Sequence, residues 1–307
     1  MTIGVFDGIH LGHKKVIESM LAYAKNQQIP SVVITFSPHP AYVLGKMQHP
    51  QNLLDADIKT ALIASLGVDY LITIPFTTTF AAIEAEQFVT QLSQKLNMKT
   101  LVTGQDFALG KDQRGKTSVL QSLSHQLQFA LHQIPEVDNA GNRISSTYIR
   151  KLIADGRIGE ANHLLGRYYH FSGAIVDGDH RGRQFGYPTA NLIPDKDRLL
   201  PKFGVYATFV HCQGRILPAI TNVGYRPTFN QDELNVTIET FILDFQETIY
   251  SQPMDLYFAA FIRPEMKFSS SDLLYKQIDQ DILKTREILA DAKQEKNLFI
   301  GSTGVLS

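Results

Sequence analysis

The chain has 307 residues, 44% hydrophobic and 19% charged, with a formal net charge of −1. That length suits about two ordinary domains, and the near-neutral balance argues against the broad basic face that nucleic acid requires. One cysteine, Cys212, rules out an intrachain disulfide and fits a reducing cytoplasm; with no apolar run of membrane-spanning length and no secretory leader ahead of the first strand pattern, no membrane partner is expected.

In chain order, short apolar runs alternate with helical patterns. The strand patterns are "TIGVF" (2–6), "SVVITF" (31–36), "VDYLITI" (68–74), "KTLVTG" (99–104) and "FALHQIPEV" (129–137), with helix patterns near 14–27, 55–66 and 84–97. This rhythm predicts a doubly wound, Rossmann-like α/β domain on a parallel sheet. Ligands in such folds bind beyond the carboxyl ends of the strands, and "FDGIHLGH" (6–13) stands at one of them. Residues 145–166 read as two short helices. Then come six strand-like runs without helices between them: "YYHFSGAIV" (168–176), "YPTANLI" (187–193), "FGVYATFVHC" (203–212), "RILPAITNVG" (215–224), "NVTIETFIL" (235–243) and "MDLYFAAFI" (254–262). They predict an antiparallel barrel or sandwich. A long helix follows, with Ser271 as its N-cap and Leu274, Ile278 and Ile282 every fourth residue. The expected domains are 1–166 and 167–290, with a tail over 291–307.

Chemistry gathers at two places. His10 and His13 lie at a helix start, where unpaired backbone N–H groups and the helix dipole attract anions. Gly8 and Gly12 let the backbone approach a ligand, and the imidazoles can donate to a phosphoryl group. Read alone, the pair also fits a metal site or plain solvated histidines. "ISSTYIR" (144–150) brings Ser145, Ser146, Thr147 and Arg150 to a second helix start, which alone would be an ordinary N-cap. In the second half, "GAIVDGDHRGRQFGYPTANL" (173–192) has Gly178, Gly182 and Gly186 with Arg181 and Arg183 among them. That fits either a phosphate loop or a hairpin turn. Extended backbone puts Thr189 and Asn191 on one face, as hard oxygen ligands suited to Mg²⁺. Both faces of "NVTIETFILDF" are mainly apolar, so Glu239 is expected to be buried. It would then be paired with an arginine, or be a general base of raised pKa.

Together, H-x-G-H after a strand and I-S-S-T-x-x-R before a helix resemble the paired signature of the nucleotidyltransferase superfamily. With "TFSPHP" (35–40), "PFTTTFAAIEAEQFV" (75–89) and "VTGQDFALGKDQRGK" (102–116), the first half resembles the FMN adenylyltransferase module of bacterial bifunctional riboflavin kinase/FAD synthetases. The second half resembles riboflavin kinase through "GYPTAN", "FGVYA" (203–207), "NVGYRPTF" (222–229), "ETFILDF" (239–245), "IRPEMKFSS" (262–270) and "DILKTR" (281–286). The resemblance implies a six-stranded antiparallel β-barrel with a C-terminal helix, and conversion of riboflavin to FMN and then FAD with ATP and Mg²⁺.

It further implies that His10, His13 and Arg150 act on ATP held by Gly4, Phe6, Asp7, Gly8, Gly12, Ser145, Ser146 and Thr147. Flavin would lie near His39, Pro40, Gly104, Asp106 and Phe107. In the barrel, Thr189 and Asn191 would bind Mg²⁺, Gly178, Arg181 and Gly182 the ATP, and Arg286 would lie near the flavin. Glu239 would activate the ribityl hydroxyl. The sequence departs from the family at Ser37 and Leu109, where "DPHP" and "DFxFG" are usual, and Met1 abuts the first strand, where a longer lead-in is usual. Either the start lies upstream, or the first strand is short with an exposed edge. The second case leaves an alternative in which only the kinase half works. "GSTGVLS" (301–307) matches nothing in the family pattern and is expected to be disordered. A homo-oligomer is left open.

Overall fold

The computed structural model describes residues 1–139, 142–176, 187–226, 235–247, 249, 252–292, 300–301 and 304–305. It comprises two compact units, Met1–Ser146 and Thr147–Ser307.

The first unit is built on five parallel strands: β1 (Thr2–Ile3), β2 (Val32–Ser37), β3 (Tyr70–Pro75), β4 (Thr100–Gly104) and β5 (Ala130–Ile134). They lie in the order β3-β2-β1-β4-β5. The chain winds outward from β1 in one direction and from β4 in the other, so a switch point opens between β1 and β4. Helices α1 (Leu11–Gln27), α2 (Pro40–Val43), α3 (Ala56–Ser65), α4 (Thr78–Ala81), α5 (Ala85–Leu96) and α6 (Thr117–Leu127) connect the strands. Phe88, Val89 and Leu92 of α5 and Leu120 and Leu123 of α6 pack with Ile3, Ile34 and Leu101 of the sheet. Ile17 and Met20 of α1 and Ile58 and Ile63 of α3 are also buried. Short strands β6 (Asp138–Asn139) and β7 (Asn142–Arg143) pair ahead of the next helix.

The first strand is shorter than its sequence pattern. Phe6 (φ 49°), Gly8 (φ 87°) and Ile9 (φ 36°) turn the backbone away directly after it. It does not present an exposed edge, as the sequence reading allowed. β1 is central, flanked by β2 and β4, and Gly4 N–H donates to Ile34 O (3.0 Å) while Val102 N–H donates to Met1 O (2.9 Å).

In the second unit, helices α7 (Ser146–Ala154) and α8 (Ile158–Leu165) precede β8 (Tyr169–Ala174), β9 (Ala190–Leu192), β10 (Gly204–Cys212), β11 (Arg215–Arg226), β12 (Asn235–Ile242) and β13 (Pro253–Arg263). Asn162 of α8 donates to Phe258 O at 2.8 Å and accepts from Tyr169 N–H at 2.7 Å, fastening that helix to the sheet. The strand order is β8-β13-β10-β11-β12-β9, all antiparallel. A bridge between Val176 and Asn191 (N–H to O, 2.9 Å) joins the two outer strands, so the sheet closes into the expected six-stranded barrel.

Along β10, Val205, Ala207 and Phe209 face outward into clusters that include Ile282 and Leu289 of α9 (Ser271–Ala292). On the alternate positions, Tyr206 packs edge-on against Phe258 (5.1 Å), and Thr208, Thr221 and Thr240 form a buried hydroxyl ladder (2.8 and 3.0 Å). Ser271 is the first residue of α9 rather than its cap; Ser270 Oγ accepts from Leu273 N–H (3.4 Å). Part of the tail expected to be disordered forms an antiparallel pair, β14 (Ile300–Gly301) with β15 (Gly304–Val305).

Candidate functional site

In the first unit the turn after β1 feeds α1, whose N-cap is His10. His10 Nδ1 accepts from His13 N–H at 3.2 Å, which makes Nε2 the donor of a neutral ring. The two imidazoles stack at 3.6 Å, and Phe6 meets His13 edge-on at 5.3 Å. A side chain would crowd a neighbouring ring at two places here. A Cβ on Gly4 would lie 3.0 Å from the Phe6 ring, and one on Gly12 3.2 Å from His10. Asp7 is buried beneath the turn: its carboxylate accepts from Leu53 N–H (2.9 Å), and its carbonyl accepts from Ser146 Oγ (2.8 Å). One bond thus ties the H-x-G-H turn to Ser146 at the end of the first unit.

These groups border a cleft of about 310 Å³ at the switch point, lined by Gly4, Phe6, His10, Gly12, His13, Gly104, Asp106, Phe107, Ser145 and Ser146. A larger, aromatic cavity of about 560 Å³ shares Gly4, Asp106 and Phe107 with it, and adds Phe36, Pro40, Phe76, Phe80 and Leu109. His39 caps α2 beside it, Nδ1 accepting from Ala41 N–H at 3.1 Å. Gly8 serves the turn through its positive φ. Thr147 and Arg150 follow on α7 and belong to the second compact unit.

Two residues here carry no local sequence signature. Arg143 lines the cleft and pairs with Asp106 and with Glu136 (2.9 Å). Lys59 of α3 donates to Thr35 Oγ1 at 3.4 Å; burial pulls its ammonium pKa below the usual lysine range, and the charge of Asp7 opposes that shift.

In the barrel, Glu239 sits opposite Asn222 on β11 and opposite Asn191 on β9. Directly paired residues share a face, so the carboxylate lies between two asparagines across three strands. It borders a cavity of about 500 Å³ with Tyr187, Thr189, Asn222, Phe241, Arg263, Phe268, Leu274 and Tyr275. Thr189 also borders a smaller cavity of about 180 Å³ with Pro188, Thr240, Phe245 and Glu247, so it stands on the wall between the two.

The expectation that Glu239 is buried on an apolar strand is corrected. Ile238, Thr240 and Ile242 are buried, but Thr237, Glu239 and Phe241 are half-buried. The segment after β13 and α9 roofs the Glu239 part of that face across an open cavity, while Phe241 packs in one cluster with Ile282 of α9. Among the described residues no arginine pairs with Glu239: Arg263 binds Asp281 (2.8 Å), and Arg286 makes a two-pronged pair with Asp244 (2.8 and 2.9 Å). Arg286 is not among the residues bordering the Glu239 cavity. Gly178, Arg181 and Gly182 lie outside the described residues.

Among the described residues no cluster of three His, Cys, Asp or Glu side chains could hold a metal ion. The oxygens of Thr189 and Asn191 beside Glu239 suit instead an ion that keeps most of its ligands from water and phosphate, as Mg²⁺ does. No described helix is long and apolar enough to cross a membrane.

Residues 1–148 match the FAD synthetase family and residues 165–289 the riboflavin kinase family. The chain is 36% identical to a bifunctional riboflavin kinase/FMN adenylyltransferase of Listeria monocytogenes, over 94% of this chain and 92% of that one. It is 34% identical to the protein of the same description from Escherichia coli strain K12, over 95% and 93%. A crystal structure described as a macrolide-efflux protein from Streptococcus pneumoniae superposes with a TM-score of 0.85 at 32% identity, covering 93% of each chain. Because both halves match, the alternative of a kinase with an inert first half finds no support. The chain belongs to the bifunctional riboflavin kinase/FMN adenylyltransferase family.

Proposed function

We propose that the two units work in series, the barrel phosphorylating riboflavin to FMN with ATP and the α/β unit joining FMN to AMP from a second ATP. In the barrel, Glu239 removes the proton of the terminal ribityl hydroxyl as that oxygen attacks the γ-phosphorus, and ADP leaves. Thr189 and Asn191 would hold Mg²⁺, which when bound neutralises charge on the triphosphate. In the α/β unit, a phosphate oxygen of FMN attacks the α-phosphorus and pyrophosphate leaves. His10, His13 and the amides at the start of α1 stabilise the charge that builds there, so no covalent protein intermediate is required. The narrow cleft suits ATP and the adjoining aromatic cavity suits the flavin ring, with Asp106 and Phe107 common to both.

The observation that carries the kinase reading is Glu239 set between Asn222 and Asn191, in a cavity that Thr189 borders. On this reading the partners are small molecules, not nucleic acid or membrane, and the buried Cys212 suits a reducing cytoplasm. Glu239→Gln tests it: FMN formation should fall by about 10²–10⁴ while FAD formation from supplied FMN is kept. Undiminished FMN formation would remove Glu239 as the base.

A further inference from the structure

Tyr187 stands two residues before Thr189, and its side chain reaches α9. Its hydroxyl donates to Asp279 Oδ1 at 2.8 Å, its ring stacks on Tyr275 (5.7 Å, 12° between planes), and it meets Phe241 edge-on at 5.4 Å. Tyr275 and Asp279 are four residues apart on α9, so they lie on one helix face. Tyr187, Phe241 and Tyr275 are an aromatic part of the wall of the Glu239 cavity. Elsewhere α9 is tied to β13 through Arg263–Asp281 and to the turn after β12 through Arg286–Asp244. The Tyr187 contacts tie it to the segment that leads into Thr189.

We propose that the Tyr187–Asp279 hydrogen bond is a clasp that holds the aromatic wall of the kinase cavity in place for a flat ring system, making both side chains positioning residues for riboflavin. The inference rests on the barrel being the riboflavin site. Holding Tyr187 against α9 before substrate arrives removes an ordering cost that binding would otherwise bear. The bond touches no reacting atom, so its loss should appear in substrate affinity rather than in the chemical step. The carboxylate acceptor raises the pKa of the Tyr187 hydroxyl, as expected where the neutral phenol donates to a charged partner.

The test compares wild type, Tyr187→Phe, Asp279→Ala and Asp279→Asn in the full chain. Riboflavin KM and kcat, riboflavin Kd by fluorescence quenching without ATP, and thermal midpoint are measured for each. Tyr187→Phe keeps the ring and loses the hydroxyl; Asp279→Asn keeps an acceptor oxygen. Tyr187→Phe and Asp279→Ala should raise KM and Kd about three- to tenfold with a smaller change in kcat, and Asp279→Asn should return both to within about twofold of wild type. Wild-type KM in Asp279→Ala would overturn the clasp. So would a fall in kcat and thermal midpoint without a selective rise in KM, or a failure of Asp279→Asn to restore binding. Glu239→Gln run alongside separates the two claims: a dead Glu239→Gln with normal Asp279→Ala sinks the clasp alone, whereas a fully active Glu239→Gln sinks the kinase site beneath it.

Discussion

Gly12→Ala sets local stability and catalysis against each other. Gly12 is the second residue of α1 and has no positive φ, so alanine meets no backbone strain there and gains up to about 1 kcal/mol of helix propensity. Its Cβ, however, would lie 3.2 Å from both Cε1 and Nδ1 of His10. Comfortable contact needs roughly 3.5–4.0 Å, so the imidazole must retreat by a few tenths of an ångström. Retreat is obstructed, because the ring is stacked at 3.6 Å on His13 and its Nδ1 is held at 3.2 Å by His13 N–H. Losing one charge-stabilising donor costs about 10²–10³ in rate, and a partial displacement should cost about 10–100-fold. The assay is FAD and pyrophosphate formation from supplied FMN and ATP, with FMN formation from riboflavin and the thermal midpoint as controls. The expected result is FAD synthesis down, FMN synthesis unchanged and thermal midpoint unchanged or raised. FAD synthesis at the wild-type rate would refute the role given to the His10 position, and so would parallel loss of both activities.

Asp7→Ala should destabilise the first unit by about 1–3 kcal/mol in denaturant unfolding, because it leaves the buried Leu53 N–H without its acceptor; Asp7→Asn, which keeps an acceptor oxygen, should cost less. His170 is wholly buried beside Arg198 and Arg167, and burial first, then those charges, hold its pKa well below the usual histidine value. The unfolded chain therefore takes up a proton near pH 6.5 that the folded barrel refuses, and stability should fall by about 1.4 kcal/mol per pH unit below that point. His170→Asn should flatten the slope of denaturant stability between pH 7 and 5, and an unchanged slope would exclude this source.

The architecture was legible wherever one period dominated. All five parallel strands and all six barrel strands follow from short apolar runs. Helix α6 was not expected, because Leu120 and Leu123 are set among Thr, Ser and His residues of middling propensity, and two leucines make too short a stripe to stand out until α5 packs beside it. The pattern overran β1, since a strand-like run cannot reveal that Phe6 turns to φ 49° to aim the H-x-G-H segment. Glu239 was found as an anomaly among apolar neighbours, yet its surroundings were misjudged. Periodicity reports that a face is apolar, not whether another element packs on it or roofs a cavity. Arg143, Lys59 and the Tyr187–Asp279 bond depend on partners 37, 24 and 92 residues away, so no local pattern could have exposed them.

The central claim is two separate sites on one chain, the first product feeding the second. Mixing two crippled variants tests it most directly: Glu239→Gln, which should convert FMN but not riboflavin, and His13→Ala, which should convert riboflavin but stop at FMN. With riboflavin, Mg²⁺ and ATP, neither protein alone should make appreciable FAD, and the mixture should make it after a lag in which FMN accumulates. A mixture that remains unable to make FAD, although each variant keeps its surviving half-reaction, would contradict a freely passed intermediate. Loss of both half-reactions in either variant would contradict separate sites.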